Sequence, residues 1–93
     1  MYHVIYSKRF DKSFNALVKN GLKKHLQEEI KVVIKKLASQ EKLEVSYRDH
    51  KLHGVYEGYR ECHIQGDLLL IYQLYKDELV LLLVDIGTHA ELF

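Results

Sequence analysis

The sequence predicts an α+β domain: one strand, a helical hairpin, then an antiparallel three-strand meander, with the helices packed on one face of a small sheet. Three observations carry this. Apolar residues recur at helical spacing between residues 8 and 38. They change to near-continuous β-type runs from residue 58 onward, after a polar stretch with no period. A short β-branched and aromatic segment precedes the helical part. Strand, helix, helix and three strands in that order gather the helices on one side of the sheet.

Tyr2 to Tyr6 (YHVIY) is the first strand. Ser7 stands at the N-cap, where its hydroxyl accepts from an amide of the first helical turn. Phe10, Phe14, Leu17 and Val18 then fall on one helical face, and Asn20-Gly21 closes the helix, glycine supplying the left-handed conformation of a C-terminal cap. Leu22, Leu26, Ile30, Val33 and Leu37 step by four, four, three and four along a second helix. The short connection at Gly21 makes the pair an αα-hairpin. Ser39 to Ser46 is a loop. Gly58 to Ile64 is a strand, Gln65-Gly66-Asp67 a turn, Leu68 to Tyr75 a strongly apolar strand, Lys76-Asp77-Glu78 a turn, and Leu79 to Asp85 the last strand. The apolar runs place the last two strands centrally.

Ninety-three residues make one domain, 1–93, with room for one core. An apolar share of 47% with 29% charged residues excludes a disordered chain. The run Leu68–Val84 is broken by Gln73, Lys76, Asp77 and Glu78, which excludes a membrane span of about 20 apolar residues. The N-terminal MYHVIYSKRF lacks the apolar run of a signal peptide. One cysteine, Cys62, fits a reducing compartment, and a cytoplasmic location follows as an expectation. Cys62 reads as a small buried hydrophobe; a nucleophile beside His63 is disfavoured because adjacent strand residues point to opposite faces. The net charge of +1 hides an asymmetry. Residues 1–40 carry nine Lys/Arg against three acids, and residues 41–93 five against ten. A basic half beside an acidic half suggests a face for nucleic acid, or simply solvated helices rich in lysine.

The chemistry concentrates in Tyr47–Asp67, YRDHKLHGVYEGYRECHIQGD, with His50, His53 and His63, and in His89 beyond the last strand. His3 and His25 read as solvated. His50 follows Asp49 at the end of a polar loop, and His63 and Asp67 flank a hairpin turn, within prospective hydrogen-bond reach of one another. Histidines with an aspartate suit RNA cleavage in which one group takes the ribose 2′-OH proton, another protonates the departing 5′ oxygen, and a cation steadies the phosphorane. A zinc site from three of His50, His53, His63 and His89 with a carboxylate is one alternative, although the spacings match no standard zinc motif, and unrelated surface histidines are the other.

Four motifs occur in order over the second half: Asp49-His50-Lys51-Leu52-His53-Gly54, Gly58-Tyr59-Arg60-Glu61-Cys62-His63, Asp67 ahead of Leu70-Ile71-Tyr72, and Gly87-Thr88-His89-Ala90-Glu91-Leu92-Phe93. In this the chain resembles the YafQ-like branch of the RelE/ParE toxin superfamily. The first half agrees with that family in layout more than in motif. The resemblance implies a RelE-like fold and a toxin of a type II toxin–antitoxin pair. It further implies an endoribonuclease that cuts translated mRNA in the ribosomal A site without metal or cofactor. The implied partners are a cognate antitoxin protein, mRNA on the ribosome and ribosomal RNA, with operator DNA reached only through the antitoxin complex and no membrane. It implies His50, His63, Asp67 and His89 as catalytic and Arg60 and Phe93 as lying at the RNA; Lys51, a departure from the family pattern, is expected to join them in binding substrate. Some relatives act by binding DNA gyrase, so a non-enzymatic or weakened toxin is the competing expectation.

Departures from the family pattern sharpen the reading. Relatives often carry an arginine on the last strand before the G-T-H, where this chain has Val84-Asp85-Ile86. An aspartate facing the scissile phosphate would repel it, so either Asp85 points away or the enzyme is weakened. Lys51 replaces a proline and is a candidate for the missing cation; His53 replaces a Gln or Lys and leaves the catalytic set. Arg60 and His63, three apart on a regular strand, fall on opposite faces, and unless a bulge intervenes Arg60 pairs with a carboxylate rather than with RNA.

Overall fold

The computed structural model describes residues 1–93. Strand β1 (His3–Tyr6) leads into α1 (Lys8–Lys19) and α2 (Lys24–Ala38), then a 3₁₀ turn (Val45–Tyr47), β2 (His50–Lys51), a second 3₁₀ turn (Gly54–Tyr56), β3 (Arg60–Gln65), β4 (Leu68–Tyr75), β5 (Val80–Thr88) and α3 (His89–Leu92). The five strands form one sheet in the order β1-β5-β4-β3-β2. β1 runs parallel to β5 and every other pair is antiparallel. The predicted meander is therefore β3-β4-β5, with β5 and β4 interior as expected. Two elements were not foreseen: the two-residue edge strand β2 and the short helix α3.

Local chemistry explains the entry to the helices. Ser7 Oγ accepts from the Phe10 amide at 2.9 Å and donates to the Val84 carbonyl at 2.8 Å, so the predicted N-cap also pins α1 to β5. Gly21 takes φ +94°, the left-handed value that a glycine past a helix end supplies. α2 begins two residues later than the apolar stripe suggested. Its N-cap, Lys23, offers no side-chain cap, while Gln27 Nε2 bonds the Leu22 carbonyl at 2.9 Å.

Alternation within the strands sorts side chains to the two faces. Leu68, Leu70 and Tyr72 of β4 join Phe10, Ile30, Val33, Leu37, Cys62, Leu81 and Leu83 in the core under the helices. Leu69 and Ile71 point the other way, into a smaller cluster with Leu92, Leu52, Tyr59 and Val84. The unbroken run LLLIY thus reflects burial on both faces. The second face is covered by α3, where sequence periodicity is silent because four residues make barely one turn. A Cβ on Gly87 would lie 3.0 Å from Glu91 Oε1 and 3.4 Å from Leu92 Cδ2, so α3 folds back over β5 at the closest approach a glycine permits.

Two register shifts bend the sheet, one between His63 and Gln65 against β4 and one on β5 opposite Ile71/Tyr72. The first lies beyond His63, so the parity of Arg60 and His63 is undisturbed and they occupy opposite faces.

Candidate active site

His50 of β2 is the cross-strand neighbour of Glu61 on β3. Glu61 and His63, two apart on one strand, share a face with it. Glu61 is 3% exposed. Its Oε1 lies 3.3 Å from His63 Nε2 and 3.8 Å from His50 Nε2, and the two imidazole rings stand 6.4 Å apart. One buried carboxylate therefore serves two histidines. Glu61 is the member of this cluster that sequence reasoning missed. The signal was present, since an acid two positions before a histidine on a strand must lie beside it.

The orientation of the His50 ring follows from its other partner. Its Nδ1 is 2.6 Å from the Arg48 carbonyl, which can only accept, so Nδ1 carries a hydrogen and Nε2 is the nitrogen turned toward Glu61.

Asp67 and His89 meet at the hairpin end. Asp67 Oδ1 accepts from the backbone amide of His89 at 3.4 Å. The expected His63–Asp67 pair is not formed: His63 turns to Glu61 along its own strand, and Asp67 beyond the turn engages the start of α3. That start is fixed by a capping box, in which Thr88 Oγ1 accepts from Glu91 N and Glu91 Oε1 accepts from Thr88 N at 2.7 Å. The His89 ring then lies 5.0 Å from Phe93, which meets Tyr56 edge-on, also at 5.0 Å. Tyr56 Oη donates to the Leu92 carbonyl at 3.3 Å, locking α3 to the turn after β2. Phe93, predicted to touch substrate, is thus the half-exposed ring beside His89.

Lys51 and Arg60 lie elsewhere. They are cross-strand neighbours of each other, and both line a groove of about 1100 Å³ on the helix side, with Leu43, Asp49 and Tyr72. Arg60 Nη2 is 3.3 Å from Asp49 Oδ2, its Nε lies 3.4 Å from Asp49 Oδ1 and 3.3 Å from Tyr72 Oη, and the tyrosine hydroxyl donates to Asp49. Burial opposes the Arg60 charge, but the bonds to Tyr72 and Asp49 outweigh it and hold the group above its ordinary value. Burial first, then the bond to Asp49, pushes the Tyr72 phenol up. Sequence parity had left this carboxylate pairing open, and the geometry adopts it: the guanidinium meets Asp49, not the histidine face.

Burial also pushes the Cys62 thiol up to about 12, with Asp49 and Glu61 adding to the effect. A fully buried, protonated thiol on the helix side is a core residue, as read from the sequence. No group of three or more His, Cys, Asp or Glu side chains converges closely enough to hold a metal ion. No helix is long and apolar enough to cross a membrane.

Solved structures share this fold over the whole chain. A metal-bound toxin from Helicobacter pylori superposes with a TM-score of 0.88 at 44% identity, covering 100% of both chains. YafQ in the Escherichia coli DinJ–YafQ complex superposes with a TM-score of 0.85 at 31% identity, covering 100% of this chain and 99% of that one. By sequence, the mRNA interferase toxin YafQ of E. coli K12 is 49% identical over 47 residues, half of this chain and 49% of that protein. Fold and sequence place the chain among small α+β bacterial toxins. It belongs to the YafQ family, bacterial toxins of type II toxin–antitoxin systems, whose sequence model matches residues 2–93.

Proposed function

We propose that this toxin is an endoribonuclease that cuts translated mRNA in the ribosomal A site by acid–base catalysis with 2′-OH attack. The observation that carries the reading is the pairing of His50 and His63 with one buried carboxylate, Glu61, on the face that also bears Asp67 and His89. The E. coli relative named an mRNA interferase supports it.

His50, through Nε2, removes the 2′-OH proton. The O2′–P bond forms, the P–O5′ bond breaks, and His89 gives the departing O5′ its proton, leaving a cyclic phosphate and a 5′-hydroxyl. Glu61 supplies the counter-charge to the imidazolium that forms on His50, and His63 shares that carboxylate and positions the phosphate. Asp67 positions His89 through its amide. Phe93, braced by Tyr56, offers a ring on which a base stacks. Arg60 acts at a distance, by holding Asp49 and with it the backbone of His50, and Lys51 contacts RNA backbone at the rim of the helix-side groove. Lys19, Lys23, Lys24 and Lys35, exposed on the helices, meet ribosomal RNA in a salt-sensitive contact.

The partner is a cognate antitoxin, as DinJ is for YafQ in the solved complex, with operator DNA bound through the pair; the toxin works in the cytoplasm. In vitro translation with primer extension tests the reading. The parent is expected to leave codon-positioned cuts, and His89→Ala and His50→Gln to abolish them. Cuts by either variant at the parental rate overturn the mechanism.

A further inference from the structure

The mechanism above leaves one role unfilled. A phosphorane carries more negative charge on its non-bridging oxygens than the ground-state phosphodiester, and a fixed cation beside it is normally the largest source of rate. Lys51 and Arg60 are turned to the helix side.

The face with the histidines holds a second buried acid. Only Glu61 and Asp85 are buried charged residues in the chain, at 3% and 4% exposure. Their positions are linked by the register: Asp85 pairs with Ile71, Ile71 with Glu61, and Glu61 with His50, one straight row across four strands. Two strand spacings, about 10 Å, separate Asp85 from Glu61. Asp85 is not an unpaired repulsive charge. Its Oδ1 accepts from the Ile86 amide at 2.9 Å, and its Oδ2 lies 2.7 Å from Arg9 Nε. The bridge is lopsided: the Arg9 side chain is 67% exposed and the Asp85 side chain 6%. Because Asp85 takes the Nε side of the fork, the two terminal nitrogens of Arg9 and their four N–H donors stay open to a ligand. Arg9 sits in the first turn of α1, where Ser7 ties the helix start to Val84, so its backbone is as fixed as the strand it reaches across.

We propose that Arg9, held by Asp85, is the catalytic cation of this toxin: its terminal nitrogens bind the non-bridging oxygens of the scissile phosphate while the histidines exchange protons at O2′ and O5′. The proposal rests on the endoribonuclease reading. In this chain the last strand contributes the anchor and the first helix the guanidinium.

The test is single-turnover cleavage of ribosome-bound mRNA by purified toxin, with affinity measured in parallel on ribosomes whose A-site codon carries 2′-deoxyribose and cannot react. Arg9→Met is expected to slow cleavage by about 10²–10³-fold, to change affinity less than threefold, and to keep the folded circular dichroism spectrum. Arg9→Lys recovers part of the rate, since a point charge replaces a fork. The double variant Arg9→Met/Asp85→Leu removes both charges together; it is expected to match or exceed the thermal stability of Arg9→Met yet cleave no faster. Cleavage by the double variant within threefold of the parent would make the bridge a structural strut and overturn the proposal. So would a loss in Arg9→Met carried wholly by affinity. Absence of cuts from the parent itself overturns the endoribonuclease reading, and the role of Arg9 with it, and is told apart by the parent's own trace.

Discussion

Glu61 Oε1 lies 3.3 Å from His63 Nε2 and, across the strand pair, 3.8 Å from His50 Nε2. A carboxylate removed from water is stable only while its partners satisfy it. The two histidines are thus as necessary to Glu61 as it is to them. Glu61→Gln keeps the volume and removes the charge. Cleavage by this variant should fall by about 10²-fold while its melting temperature stays near the parent's, as read by primer extension and thermal denaturation side by side.

The Arg60–Asp49–Tyr72 knot is a stability element on the far side of the sheet. Tyr72→Phe removes a hydroxyl bonded to a carboxylate and should cost about 1–3 kcal/mol. Arg60→Ala leaves Asp49 without its cation and should cost a similar amount, moderated by the partial exposure of the pair. Urea titrations measure both. Equal stability to the parent in either variant would return Arg60 to the RNA-binding set.

Cys62 predicts an alkaline limit. Its thiol titrates near 9.0 when unfolded and is pushed up to about 12 by burial in the fold. The contribution is fully present below pH 9, and it is lost as pH rises toward 12, because the unfolded chain releases a proton that the native state retains. Melting temperatures should decline across that window, and Cys62→Ala should decline less steeply. The same variant is expected to cleave at the parental rate, since a buried neutral thiol performs no step.

Gly87 sets the seat of α3. Gly87→Ala places a methyl 3.0 Å from Glu91 Oε1 and 3.4 Å from Leu92 Cδ2. The Glu91 carboxylate then leaves the Thr88 amide, the capping box opens at a cost of about 1 kcal/mol, and His89 and Phe93 move together. A tenfold or greater drop in cleavage with a small loss of thermal stability is the expected pair of readings.

The helical stripes, the Ser7 cap, the Gly21 stop and the interior placement of β4 and β5 were all legible, because each rests on a period or a local backbone rule. His50, His63 and His89 were also legible, as titratable groups in a short compass, with the family resemblance joining Asp67 and Phe93 to them. What the sequence hid is set by register and by pairs distant along the chain. β2 is two residues long and exists only because β3 offers an edge. α3 is one turn, held by tertiary contact with Gly87 and Tyr56. Arg9 and Asp85 are separated by nearly the whole sequence, so no local pattern joins them. The repulsion expected from Asp85 disappears once its partner is seen.

The parallel pairing of β1 with β5 has a consequence for synthesis. β5 follows every other strand in the chain, yet it occupies the sheet interior between β1 and β4. Until it emerges, β1 has no neighbour, Arg9 has no anchor and His89 does not exist. The candidate site is therefore incomplete until β5 and α3 have been made. The pairing of β1 with β5 is a long-range closure of the kind that forms late, and it joins the first strand to the last one made.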